Sequence, residues 1–285
     1  MRENSIQNCV SVIGAGQMGS GIAQLFAMHG FIVTLIDVSD IALRKAITNI
    51  NTSLEKLKSK QEITESTNDV LSRISISLDI STCANSKIII ESAFEDFETK
   101  FGILNSINPY IDNNTYIATN TSSFSVSDLA KAVSYPENFL GFHFMNPVVL
   151  MDLVEIVSGV LTSESTIHFF KSLSSRLNKT GICVKNSPGF VLNRILIPMI
   201  NEAIWTLYED ISTAEEIDQA MQLGANHKMG PLALADLIGL DTVMAILRTL
   251  QQIDVNKYVP CPLLQQYVAA NKLGRKSGVG FYRYV

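Results

Sequence analysis

CVSVIGAGQMGSGIAQLFAMHGFIVTLID, residues 9–37, carries a strand, a glycine-rich turn, a helix and a second strand in immediate succession. Cys9 to Ile13 are mostly apolar and read as a buried parallel strand. Gly14-x-Gly16-x-x-Gly19 follows, and a helical spacing of apolar residues runs through Ile22, Ala23, Leu25, Phe26 and Met28. A second apolar run, Phe31 to Ile36, ends on Asp37. Each part has a task in binding a dinucleotide. Gly14 permits the tight turn, and Gly16 lets backbone approach a pyrophosphate. Gly19 lets the helix lie close on the sheet, with its N-terminus toward the phosphates. Asp37 lies 18 residues after Gly19, where a carboxylate accepts hydrogen bonds from an adenosine ribose and repels a 2′-phosphate. Val38, Ser39 and Asp40 follow and bring no arginine, so NAD is expected over NADP. A lone glycine motif would also fit a turn in an unrelated α/β protein. Strand, glycines, helix, strand and terminal acid in order argue against that reading.

Outward from this unit, 285 residues at 47% hydrophobic suffice for a sizeable core. One domain of about 190 residues plus a smaller one fits usual domain sizes. A net charge of −5 offers neither a nucleic-acid groove nor a polybasic membrane surface. Cys9, Cys83, Cys183 and Cys261 are widely separated, with no metal-ligand spacing, so no metal site is expected. Cys9 and Cys183 sit in apolar runs and read as small core residues. A reducing compartment, hence a cytoplasmic location, is expected. MRENSIQN is polar and leads into the first strand, so no signal peptide is expected. No apolar run approaches the length of a membrane span.

Residues 39–62 have helical spacing, with Lys56, Lys58 and Lys60 in the second half. These lysines read either as a solvated face or as a surface for a phosphate-bearing ligand. Residues 63–86 are polar, with a strand-like piece near Ile74 to Leu78. Strands are then expected at 87–93, 116–119, 139–144, 153–157 and 182–185. Helices are expected after Glu95-Asp96, over 127–133 and over 165–177. This alternation predicts an α/β fold, a Rossmann-like, doubly wound and mostly parallel sheet. At Asn186-Ser-Pro-Gly189 the pattern changes. Helices are expected over 191–208, 212–224, 232–250 and 262–270, with Thr213 and Glu216 spaced as in a capping box. The chain thus divides into residues 1–188, a dinucleotide-binding domain, and residues 189–285, a smaller all-helical domain.

His143 ends one strand and Glu155 lies inside the next, with Asn146-Pro147 between them. An antiparallel fold-back about residue 149 would bring the two opposite each other. A carboxylate beside an imidazole fixes its tautomer and makes a general acid/base. The alternative is a hydrogen-bonded structural histidine with a surface acid nearby. Asn120-Thr121-Ser122-Ser123 follows the strand 116–119, at the strand end where open α/β sheets bind ligands. Its hydroxyls read either as ligand contacts or as a polar loop capping the next helix.

GAGQMGSGIAQLFAMHG, IIIESAFEDFETK, ATNTSS, GFHFMNPVVLMDLVEIV, NSPGFVLNRILIPMINEAI, IDQAMQLGANHKMGPLALADLIGLD and LGRKSGVGFYRY carry a resemblance nearly end to end. The chain resembles the short-chain L-3-hydroxyacyl-CoA dehydrogenases, of the 3-hydroxybutyryl-CoA dehydrogenase type. The resemblance implies that His143 is the catalytic base and that Glu155 pairs with it. Ser122 and Asn193 would contact substrate. Gly14, Gly16, Gln17, Met18, Gly19, Asp37, Glu95, Lys100, Asn120, Ser122, Asn146 and Lys276 match NAD-contacting positions. Lys56 lies where relatives meet the CoA nucleotide. The helical domain would close the cleft and form a homodimer. The implied reaction is reversible oxidation of a 3-hydroxyacyl-CoA to the 3-ketoacyl-CoA. The alternatives are another 3-hydroxy acid, a carrier-protein thioester, or a non-catalytic NAD-binding protein. The last would be signalled by loss of His143, Glu155, Ser122 or Asn193, and all four are present. Departures from the family are Asp152 for a lysine, Lys228 for a proline, Thr119 for a serine and Ser92-Ala93 for Ala-Val. They bear on CoA contacts and acyl specificity.

Overall fold

A computed structural model describes residues 8–284. The polar leader, residues 1–7, and the expectation that it holds no signal peptide lie outside the described residues. The chain forms two compact units, residues 1–186 and 187–285. Among the described residues no helix is long and apolar enough to cross a membrane.

In the first unit, strands β1 (Cys9–Ile13), β2 (Ile32–Ile36), β3 (Ile74–Ser77), β4 (Ile88–Glu91), β5 (Tyr116–Thr119), β6 (Phe139–Phe144), β7 (Leu153–Ser158) and β8 (Thr180–Lys185) form one sheet. Its order is β3-β2-β1-β4-β5-β6-β7-β8. Neighbours from β3 through β6 are parallel, β7 runs antiparallel to β6, and β8 runs parallel to β7. The chain reverses its direction of travel across the sheet between β1 and β4, the switch point where such sheets bind ligands. Helices α1 (Gln17–Met28), α2 (Asp40–Ser59), α3 (Thr67–Leu71), α4 (Phe97–Ser106), α5 (Val126–Leu129) and α6 (Glu164–Arg176) connect the strands. Ile88, Ile89 and Ile90 are all buried, because helices cover both faces of a central parallel strand and leave no polar alternation. Helix starts are capped by side chains. Ser39 accepts from the Ala42 N–H, Asp96 from Thr99 and Ser163 from Thr166. Val10, Val12, Phe26, Leu35, Phe142 and Phe170 belong to the core.

The glycine turn is fixed by sterics. Gly14 has φ +107°, and a Cβ there would meet the Ser92 carbonyl oxygen at 2.5 Å. A Cβ on Gly19 would sit 1.8 Å from the Gly14 carbonyl oxygen. Gly19→Ala must therefore push α1 off the turn. We expect NADH affinity in a fluorescence titration to fall by more than about tenfold. Wild-type affinity would show that the close approach is not needed.

Cys183 is not a core residue, as its apolar surroundings in sequence suggest. Strand β8 is one of the two edge strands of the sheet, and Val184 is its one buried residue. Cys9 is half-buried.

The second unit contains α7 (Leu192–Tyr208), α8 (Ala214–Ala225), α9 (Pro231–Ile238), α10 (Leu240–Leu250) and α11 (Pro262–Ala269). Its core holds Ile197, Ile200, Ile204, Leu232, Val243, Leu247 and Leu264. The single helix expected over 232–250 is two helices. Gly239 takes φ +99°, closing α9 and opening α10. That conformation breaks the backbone ladder while the apolar spacing continues through it. Thr213 caps α8 by accepting from the Glu216 N–H at 3.3 Å.

Two buried carboxylates organise this unit. Asp218 accepts from the Leu232 N–H at 2.7 Å, the Ala233 N–H at 2.9 Å and the Tyr282 hydroxyl at 2.8 Å. Asp236 accepts from the Phe281 and Tyr282 N–H groups and the Tyr284 hydroxyl. Burial and the Asp236 carboxylate push the Tyr284 phenol up to about 12. Asp218→Ala strands the first-turn donors of α9 and should cost about 2–4 kcal/mol. A thermal melt checks this, and an unchanged Tm would contradict the cap.

Candidate active site

Strand β2 delivers Asp37 to the glycine turn. Its Oδ2 accepts from the Ala15 N–H at 2.7 Å and its Oδ1 from the Ser39 N–H at 2.9 Å. Each oxygen retains a further lone pair for a ribose diol. A Cβ on Gly16, at the N-terminus of α1, would meet no heavy atom within 4 Å. The residues present therefore fit a dinucleotide: an acceptor for the ribose, open space at a glycine, and a helix N-terminus for the pyrophosphate. Gln17 and Met18 open α1, and Gln17 Nε2 donates to Asn146 Oδ1 at 3.1 Å.

The β6–β7 hairpin pairs Gly141 with Val157, Phe142 with Ile156 and His143 with Glu155, a fold-back about residue 149. Directly opposed residues project to one face of the sheet. His143 Nδ1 and Glu155 Oε2 stand 2.8 Å apart, with the two residues 6% and 1% exposed. Because a carboxylate only accepts, it orders the ring as the Nδ1–H tautomer, whose Nε2 bears the lone pair.

Strand β5 ends at Thr119 and leads into the loop that holds Ser122. Glu95 Oε1 gathers this loop. It accepts from the Thr121 hydroxyl at 2.7 Å, the Ser122 N–H at 2.9 Å, the Ser123 N–H at 3.1 Å and the Ser123 hydroxyl at 2.8 Å. Burial pushes the Glu95 carboxyl up, but Lys100 and these donors outweigh it and hold the group below the usual carboxylate range. Lys100 is 1% exposed and pairs with Glu91 Oε1 at 2.9 Å and Glu95 Oε2 at 3.2 Å. Glu91 is itself fully buried, and it also accepts from the Thr119 hydroxyl at 2.6 Å and the Ala93 N–H at 2.7 Å. Lys100 thus sits inside an ion cluster behind the loop. Asn120 uses its side-chain oxygen to accept from the Phe144 N–H at 2.9 Å, tying the end of β5 to the end of β6.

A cleft of about 650 Å³ has Gln17, Gln24, Lys45, Asn49, Ser53 and Asn146 among its lining residues. Lys56 is exposed and is not among them. It continues the α2 stripe of Lys45, Asn49 and Ser53 one turn further along. The first unit therefore gathers the glycine turn, Asp37, Glu95, Lys100, Asn120, Ser122, His143, Asn146 and Glu155. Asn193 belongs to the second unit, near the start of α7, as does Lys276, which pairs with Asp241. Sequence reasoning missed Glu91 and Lys45. An acid closing the apolar run Ile88–Glu91, in register with Thr119, was the available signal for Glu91.

The family profile described as 3-hydroxyacyl-CoA dehydrogenase, NAD binding domain, matches residues 9–187. The 3-hydroxyacyl-CoA dehydrogenase C-terminal domain matches residues 189–284. A 3-hydroxybutyryl-CoA dehydrogenase from Bradyrhizobium diazoefficiens is 46% identical over 277 residues, covering 96% of this chain and 94% of its own. One from Clostridioides difficile is 44% identical, covering 96% and 99%. The crystal structure of an (S)-3-hydroxybutyryl-CoA dehydrogenase from Ralstonia eutropha superposes with a TM-score of 0.93 at 45% identity, covering 98% of this chain and 99% of that one. With both halves matched and full-length relatives well above 30% identity, the chain belongs to the NAD-dependent 3-hydroxyacyl-CoA dehydrogenase family.

Proposed function

We propose that this dehydrogenase interconverts short-chain L-3-hydroxyacyl-CoA and 3-ketoacyl-CoA, with 3-hydroxybutyryl-CoA as its substrate. The buried His143–Glu155 pair, 2.8 Å apart, is the observation that carries the reading. His143 takes the proton of the substrate hydroxyl at Nε2 and returns it in the reductive direction. Glu155 holds Nδ1 and stabilises the imidazolium as it forms. Ser122 hydrogen-bonds the reacting oxygen or the thioester carbonyl, and by resemblance Asn193 shares that task. A positioned base and such donors each contribute about two to four orders of magnitude in rate. The glycine turn, Gln17, Met18, Asp37, Glu95, Asn120, Asn146 and Lys276 hold the dinucleotide. When bound, the nicotinamide supplies the hydride acceptor or donor. Lys100 acts from behind, through Glu95. Lys45 and Lys56 lie on one stripe of α2 and suit the phosphates of CoA.

The test is NADH consumption with acetoacetyl-CoA, with NADPH run alongside. Rapid oxidation of NADH alone is expected. Equal rates with NADPH would remove the role given to Asp37. Bound NADH without turnover would move the substrate to a carrier-protein thioester or another 3-hydroxy acid. The reading also includes a cytoplasmic homodimer formed through the second unit, where Ile195 and Leu223 are 67% and 79% exposed. Sedimentation as a monomer would remove the dimer.

A further inference from the structure

Beside the cleft lies a second cavity of about 500 Å³, and Val149 lines both. The second cavity is lined by Asp152, a departure from the family, together with Glu62, Thr64 and Glu65. It also takes in Lys179, a lysine only 8% exposed. Among the described residues, the one hydrogen bond of Lys179 Nζ goes to the Val149 carbonyl at 3.2 Å, although an ammonium carries three donors. Burial pushes the Lys179 ammonium below the ordinary lysine range, against the field of Asp152, which favours the charged form. The other titratable groups on the cavity wall are His29, whose Nδ1 bonds the Leu25 carbonyl at 2.8 Å, Glu62, and Glu65, which pairs with Arg73. Leu25, Val70 and Leu177 supply an apolar wall.

We propose that Lys179 is a site of Nε-acylation by short-chain acyl-CoA thioesters. An amine with a raised neutral fraction stands one hydrogen bond from a residue shared with the cleft. The neutral Nζ attacks the thioester carbonyl. A C–N bond forms, the C–S bond breaks, and CoA leaves as the thiol with the proton given up by the amine. No electrons change hands, and the thioester is the only co-reactant. The product amide keeps one N–H for the Val149 carbonyl, and its acyl group fits the wall of Leu25, Val70 and Leu177. Asp152 loses its nearby cation, beside the turn that holds Asn146. The proposed function enters only as the source of the thioester.

The experiment incubates the intact protein with isotope-labelled acetyl-CoA and follows acetyl occupancy by peptide mass spectrometry. Lys179 is compared with the exposed Lys58, Lys60 and Lys228. Lys179 should acetylate at least about fivefold faster, because its amine is held in a cavity beside the cleft with one carbonyl partner and an apolar wall for the acyl group. The excess should vanish in urea. Lys179 labelling no faster than the exposed lysines, or undiminished in the unfolded chain, would overturn the proposal. The readout needs no turnover, so it fails or succeeds independently of the dehydrogenase assay.

Discussion

His143→Gln should lower kcat for acetoacetyl-CoA reduction by at least about a hundredfold, with only a modest change in KM. The glutamine amide has a size close to that of the ring but cannot exchange a proton at neutral pH. Glu155→Gln should cause a loss of the same order. In the reductive direction the imidazolium must form and give its Nε2 proton to the substrate, and a neutral amide no longer stabilises that cation. The two residues act as one unit, 2.8 Å apart. The double variant should therefore be about as slow as the worse single variant, not slower by the product. Near wild-type turnover in either single variant would end the role assigned to the pair.

Lys100→Met should produce the largest loss of stability among single changes in the first unit. Methionine matches the lysine stem in bulk, so little packing is lost. Glu91 is fully buried and loses its cation. Removing one partner of a buried pair costs about 3–5 kcal/mol. Glu95 loses the same cation and with it part of its hold on the loop at Ser122, so kcat should fall as well. The double variant Glu91→Gln, Lys100→Met replaces both charges and should recover at least half of the loss, because the uncompensated charge is gone. Urea unfolding monitored by circular dichroism reads both. A single-variant cost below about 1 kcal/mol would mean that the cluster holds no buried charge needing a partner.

The alternation of strands and helices in the first unit was legible because local patterns carry it: apolar runs for buried strands, capping residues, and glycines at the turn. The hairpin register was legible too, since opposed residues across a tight fold-back follow from position alone. Four things were not. The break at Gly239 hides inside uninterrupted apolar spacing, and a positive φ leaves no mark on composition. The exposure of Cys183 depends on β8 being the last strand, a fact of sheet order and not of its own sequence. The cluster of Glu91, Lys100 and Thr119 joins residues from β4, α4 and β5, and nothing local says that a lysine at the fourth position of a helix turns inward. Lys179 is hidden in the same way. Its burial comes from the loop after α2, the end of α1 and the β6–β7 turn.

The hairpin that opposes His143 to Glu155 also restricts how this enzyme can be remodelled. In a ladder, a slip of one residue turns every side chain of a strand to the other face. A one-residue insertion or deletion between residues 145 and 152 that propagated into β7 would put the imidazole and its carboxylate on opposite sides of the sheet, with both residues still present. Length changes are tolerable there only if the turn absorbs them whole. The spacing between the two residues is thus as much a part of the proposed catalytic pair as their identities, and a designer grafting new loops onto this scaffold should hold the spacing fixed and vary the turn's composition instead.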